Sequence, residues 1–311
     1  MRKRNIKSAF TYYAIVFIMG WCFPVFGQQH TMYTQYMFNG LVLNPAYAGS
    51  HGDLSLTALA REQWSGLKGA PSTQTFAIHS PIKNKKISLG MVLLRDQIGV
   101  SKEHSVYGSY AYRIAMEKGT LSMGLQVGFT SYREDLNDLL LLHRPAADFQ
   151  DQKSSFLPNF GAGVFYSSEH FYAGFSVPRM LQNSIDQDNP VSVAKELRHY
   201  FLTGGYLFYL SKDLKLKPNF LLKVVEGAPI QFDLNVNLLI KDLIWVGLSH
   251  RFGADWNAIF ELQMTRRLRL GYAYDFASTT DLSAVQSGSH EFMLNYVFVK
   301  PEQRMKSPRF F

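Results

Sequence analysis

From residue 53 to residue 299 the chain keeps returning to one pattern, segments of roughly ten residues in which apolar and polar side chains alternate. Leu121, Met123, Leu125, Val127 and Phe129 alternate with Ser122, Gly124, Gln126, Gly128 and Thr130. Ile230, Phe232, Leu234, Val236 and Leu238 alternate with Gln231, Asp233, Asn235 and Asn237. Near the C-terminus Phe292, Leu294, Tyr296 and Phe298 alternate with Glu291, Met293, Asn295 and Val297. An extended backbone points successive side chains to opposite faces, so each segment is a strand with one apolar and one polar side. The chain is therefore all-β.

Two environments accept such strands. A soluble sandwich turns the apolar face inward, and a membrane barrel turns it outward. The strands and their connections decide between them. The alternation gives about fourteen strands, near 53–61, 73–82, 86–95, 104–115, 119–132, 158–167, 170–177, 198–210, 214–225, 229–240, 243–251, 256–265, 268–277 and 290–299. Every second connection is tight and polar: Lys83-Asn84-Lys85, Glu117-Lys118, Ser168-Glu169, Ser211-Lys212-Asp213, Lys241-Asp242 and Arg266-Arg267. Most of the others are longer, at 62–72, 96–103, 133–157, 178–197 and 278–289, with 226–228 and 252–255 as short exceptions. Short turns on one side and long loops on the other match a transmembrane antiparallel β-barrel with periplasmic turns and extracellular loops. Strands of about ten residues suit a tilted membrane crossing, whereas soluble strands are nearer five or six. Asp233 and Glu261 fall mid-strand on the polar parity and are expected to face the lumen. An even strand number puts both mature termini in the periplasm.

Composition agrees once the N-terminus is set aside. Arg2, Lys3, Arg4 and Lys7 precede an apolar run through Ala14-Ile15-Val16-Phe17-Ile18-Met19, and Val25-Phe26-Gly27 offers a cleavage site before Gln28. This is the layout of a secretory signal peptide over residues 1–27. The run is short for a spanning helix and is followed by Pro24; bulky Trp21 before Cys22 argues against a lipoprotein signal. Four of the 32 basic side chains lie in this leader, leaving 28 against 24 acidic ones. The pI of about 9.4 is thus no sign of nucleic-acid binding, and no basic stripe supports it. The one cysteine also falls in the leader, which excludes a disulfide framework or a thiol nucleophile in the mature chain. Hydrophobic residues make up 47% of the sequence while mean hydropathy is −0.09, as expected of apolar residues dispersed along strands.

Residues 28–52 precede the first strand and end in Asn44-Pro45-Ala46-Tyr47-Ala48-Gly49, a turn-forming run. They are too aromatic for a solvated tail, so they form a periplasmic segment against the wall or a plug in the lumen. Gly90, Gly108, Gly124, Gly128, Gly161, Gly163 and Gly205 are read as lumen-facing; they either set barrel curvature or leave room for such a segment. The barrel proper is placed at 53–299 and a polar, basic periplasmic tail at 300–311.

Catalytic constellations are absent. There is no glycine-rich phosphate loop, no Gly-x-Ser-x-Gly elbow and no His-Glu-x-x-His helix. His79 shares its parity with Thr75 and Ala77, and adjacent Ser80 points to the other face, so the two form no dyad. His143 with Asp148 and Asp151, and Asp135-Asn137-Asp138, match no metal-ligand spacing. No catalytic residue, metal or cofactor is assigned.

The block Met32-Tyr33-Thr34-Gln35-Tyr36-Met37-Phe38-Asn39-Gly40, followed by Asn44-Pro45-Ala46-Tyr47-Ala48-Gly49, resembles the PorP/SprF family of Bacteroidetes outer-membrane proteins tied to type IX secretion and gliding motility. The resemblance continues through Arg61-Glu62-Gln63-Trp64, Gly69-Ala70-Pro71, Tyr172 to Pro178, Leu270-Gly271-Tyr272-Ala273-Tyr274-Asp275, Gly288-Ser289-His290-Glu291 and Ser307-Pro308-Arg309-Phe310-Phe311. It implies a non-enzymatic outer-membrane accessory barrel that helps secrete or anchor surface proteins or adhesins with a C-terminal sorting domain. It also implies docking to a periplasmic peptidoglycan-binding lipoprotein, besides contact with outer-membrane lipids. Asn44, Pro45, Ala46, Tyr47, Gly49, Trp64, Gly271, Tyr272, Tyr274, Asp275, Arg309, Phe310 and Phe311 are the marked positions; they are interaction residues or simply turn and girdle residues. A porin or transporter for small or hydrophobic solutes is the competing reading, and a barrel hydrolase lacks its catalytic set.

Overall fold

The computed structural model describes residues 32–82, 85–135, 155–185, 195–253, 255–276 and 287–299. The leader, the tail 300–311, and the readings placed on His143, Asp148, Asp151, Asn137 and Asp138 lie outside the described residues. The strands are β1 (Leu54–Glu62), β2 (Ser72–Pro81), β3 (Ile87–Ile98), β4 (Ser101–Met116), β5 (Gly119–Glu134), β6 (Ser155–Ser167), β7 (Phe171–Val177), β8 (His199–Tyr206), β9 (Phe208–Tyr209), β10 (Leu214–Val225), β11 (Gln231–Ile240), β12 (Ile244–Arg251), β13 (Trp256–Gln263), β14 (Leu268–Phe276) and β15 (Ser289–Phe298). Each pairs antiparallel with its neighbours, and β1 pairs with β15, so the sheet closes on itself. β8 and β9 both lie along β10 in one register, Gly205 opposite Asn219 and Phe208 opposite Leu216, and form one wall strand interrupted where Pro218 has no N–H for the ladder. The barrel is therefore fourteen strands round.

The two rims differ as the sequence foretold, with one correction. Residues 96–103 form no long loop: β3 and β4 run on to Ile98 and from Ser101, leaving only Gly99-Val100 between them. Arg95, Asp96, Lys102 and Glu103 belong to the strands, whose polar ends mimic a loop in the sequence. At the opposite rim the Lys241-Asp242 turn has φ of 51° and 53°, the left-handed pair that matches the twist of a two-residue hairpin.

Alternation sorts inside from outside. Asp233 and Glu261 are buried in the lumen, while Leu125 and Val127 stand 62% and 68% exposed on the outer wall, the surface that faces lipid. Exposed aromatics gather toward both rims: Phe129, Phe156, Phe252, Trp256 and Phe276 toward the long connections, and Tyr112, Phe171, Tyr206, Phe208 and Phe298 toward the short turns. Such girdles bound the apolar band of a membrane barrel. Gly108 is a second correction. Tyr107 and Ser109 face inward, so Gly108 points out between Val106 and Tyr110.

Candidate functional site

Residues 32–50 run inside the barrel. They form three single turns of 3₁₀ helix, Tyr36–Phe38, Gly40–Val42 and Pro45–Tyr47, instead of continuous structure. Asn44 starts the last turn: its backbone is extended, its Oδ1 accepts the Ala46 N–H at 2.9 Å, and Pro45 follows where no N–H is needed. Tyr33, Tyr36, Met37, Phe38, Leu41, Leu43, Ala46, Tyr47 and Ala48 are all buried, forming with inward wall residues the hydrophobic core of the molecule.

The segment descends from the long-connection side to the short-turn side. Near the first, Glu291 accepts the backbone N–H groups of Thr34 (2.9 Å) and Gln35 (2.8 Å), one on each carboxylate oxygen. The Thr34 hydroxyl donates to Asp275 at 2.7 Å and accepts from Arg61 at 3.0 Å. Arg61 closes the set by pairing with both Asp275 (2.5 Å) and Glu291 (3.2 Å). All three wall residues are buried, so each charge is opposed and hydrogen-bonded, the condition for holding ions away from water. Gly271 lies below, inward on β14, where an added Cβ would come within 2.2 Å of Gln35 Oε1.

Midway, the Tyr36 hydroxyl donates to Asn219 at 3.2 Å and accepts from Asn235 at 2.5 Å. Phe38 packs at 5.9 Å from the Trp245 ring, with Lys217 Nζ at 4.9 Å and the Arg269 guanidinium at 5.5 Å from its own ring centre. Farther along the segment, Asn44 Nδ2 donates to the Val164 carbonyl at 3.0 Å, and Ser176 donates to the Leu43 carbonyl at 2.7 Å. Cβ atoms built at Gly124 and Gly163 would fall 2.2 Å from Ala46 N and 2.1 Å from Asn44 Oδ1. These glycines therefore clear space for the segment, whereas a Cβ at Gly128 would meet the Val106 carbonyl of the next strand and one at Gly205 the Tyr172 ring. Gly49 ends the descent at φ 75°, its N–H donating to His79 Nδ1 (3.1 Å) and its carbonyl accepting from Arg113 (2.8 Å). His79 thus has a structural partner on the segment, and Tyr47 packs edge-on against it and against Phe165.

The marked positions divide by location. Asn44, Pro45, Ala46, Tyr47 and Gly49 form the lower half of the segment, and Asp275 with Gly271 meets its upper half. Gly271 is thus mid-strand and not in a turn. Tyr272 and Tyr274 point outward, Tyr274 donating to the Ser287 carbonyl at 2.7 Å. Trp64 sits in the 63–71 connection with φ 51°, its N–H donating to Ser289 at 3.2 Å. Arg309, Phe310 and Phe311 lie outside the described residues. Arg61, Glu291, Thr34 and Gln35 lie in separate sequence blocks that resemble the family, and the fold brings them into one site. Opposite charges on inward parity near the same rim are the signal that joins them.

A second cluster closes over the long-connection side. Pro178 turns its carbonyl inward to accept from Gln126 at 2.8 Å, and Arg179 pairs with Glu103 (2.8 Å) and Glu196 (3.4 Å) over the Tyr107 ring. Among the described residues no group of His, Cys, Asp and Glu is placed to hold a metal ion.

Among solved structures, this chain is similar over 79% of its length to the outer-membrane protein Omp33 of Acinetobacter baumannii, at 9% identity, 98% of that chain and a TM-score of 0.46. It matches the KdgM porin over 79% of its length and 99% of that chain (10% identity, TM-score 0.38). A Salmonella typhi OmpF complex with daunomycin is matched over 79% and 97% (10% identity, TM-score 0.37). Comparison with curated proteins finds no match. The family profile described as type IX secretion system membrane protein PorP/SprF matches residues 25–296.

Proposed function

Because the chain belongs to the PorP/SprF family of type IX secretion system membrane proteins, we propose that it is a non-enzymatic accessory barrel of that apparatus, helping to secrete or anchor surface proteins with a C-terminal sorting domain. The observation that carries this reading is the occupied lumen. Residues 32–50 fill the barrel with buried aromatic side chains and are bonded to the wall at both ends. A barrel filled in this way acts through its rims and not as a conduit. The long connections, notably 135–154 and 178–198, meet the surface partner, with short turns and the 300–311 tail turned toward a peptidoglycan-binding lipoprotein in the periplasm. Lys306 and Arg309 of that tail suit acidic groups. The protein reaches the outer membrane after its leader is cleaved before Gln28.

Deleting the gene and analysing the cell surface by proteomics tests the secretion role: sorting-domain proteins are expected to be lost from the surface, and their unchanged display would refute it. Conductance in planar bilayers separates this reading from a porin, for which a large, steady open-channel current is required.

A further inference from the structure

The contacts of Thr34 and Gln35 are those by which a protein binds a peptide in trans. One carboxylate takes two consecutive backbone N–H groups, and a second carboxylate with a guanidinium takes the intervening hydroxyl. The Gln35 amide reaches the Glu291 carbonyl at 3.3 Å, completing recognition of a short Thr-Gln pair. Two of the bonds go to main chain where Gln35, at φ −92° and ψ 30°, caps the first 3₁₀ turn, so the wall reads a turn whose consecutive N–H groups point the same way, and it favours a hydroxyl followed by an amide. The three wall residues come from β1, β14 and β15, close to the connections 63–71 and 277–288.

The 63–71 connection adds a fixed frame above them. Ser65 accepts from Ser287 (2.8 Å) and donates to the Gly288 carbonyl (2.8 Å), while Gly99 donates to the Gly69 carbonyl (2.9 Å). Trp64 holds a left-handed backbone that a bulky residue seldom adopts, and such strain persists only where surrounding contacts impose it. The frame and the buried charges together fix this part of the wall at the long-connection side.

We propose that Arg61, Asp275 and Glu291 form a peptide-binding site, occupied in cis by Thr34-Gln35 and open to exchange with a turn-forming segment of a second polypeptide. Identifying that polypeptide with a secreted passenger rests on the secretion reading; the site itself does not. In exchange, residues 32–35 swing out while the close-packed lower half, from Asn44 to Gly49, stays seated.

The test uses the full-length mature protein in detergent and a fluorescent peptide carrying residues 32–35. Thr34→Val/Gln35→Ala weakens the cis ligand and leaves the wall intact, so it is expected to bind the peptide at least about tenfold tighter than wild type. Adding Glu291→Gln is expected to abolish that gain. Equal affinity of wild type and the double variant, or binding indifferent to Glu291→Gln, would overturn the site. Should the double variant misfold, Met32→Cys in the otherwise native chain serves instead. Its labelling by a maleimide is expected to accelerate with excess peptide and not with a peptide bearing Val-Ala at the two positions; an unchanged rate overturns exchange. Peptide exchange without any passenger defect in the deletion strain would sink the secretion reading alone. A passenger defect without exchange would sink the site alone.

Discussion

Glu291 is enclosed completely, and its two oxygens face two main-chain N–H groups and a guanidinium. Removing it leaves Arg61 with Asp275 alone and strands two donors in the interior. Glu291→Ala is therefore expected to lower stability by about 2–5 kcal/mol, mostly from the two stranded N–H groups since Arg61 keeps Asp275, whereas exposed Glu62→Ala should stay within about 1 kcal/mol. Urea unfolding in detergent micelles compares the two. On the outer wall the cost has another origin: Leu125→Arg places an ion in lipid and should destabilise by about 2–4 kcal/mol, read as reduced folding into liposomes. The sequence made the second case plain, because alternation alone says which side Leu125 faces. It did not reveal the first. Arg61 and Glu291 are 230 positions apart, and only the closed sheet sets them opposite each other.

At the scale of elements, two glycines on the wall predict different outcomes. At Gly124 a new Cβ meets backbone, at Ala46 N and the Pro45 carbonyl carbon; at Gly271 it meets the movable end of Gln35. Gly124→Val is expected to dislodge the lower half of the segment and expose it to protease, and Gly271→Ala to leave it resistant. Limited proteolysis followed by mass spectrometry distinguishes them; equal sensitivity would refute the contact. Strand number and parity were legible because each strand carries its own period. The break between β8 and β9 was not, since it shows only once Pro218, which has no N–H to donate, is set opposite it in the sheet. Nor was the path of residues 32–50, which have no period and take their shape from seven or more strands of the wall. Alternation therefore does not distinguish a plug from a segment packed outside.

For the whole molecule, the occupied lumen predicts a closed state: purified protein in a planar bilayer should show no large steady conductance, and Thr34→Val/Gln35→Ala/Glu291→Gln should show transient openings at most. Strand parity does place the barrel's own ends together, Leu54 beside Phe298 at the short-turn rim. It says nothing of the chain ahead of β1, which returns upward through the interior, so the expectation of both termini in the periplasm covers only the barrel's ends; residues 28–31 lie outside the described residues. Arg61 and Glu291 face each other across the seam where the first strand meets the last, and both hold Thr34 and Gln35. The wall must therefore curl around a segment made before any strand, and the final zipping of that seam and the capture of its contents become a single event in assembly.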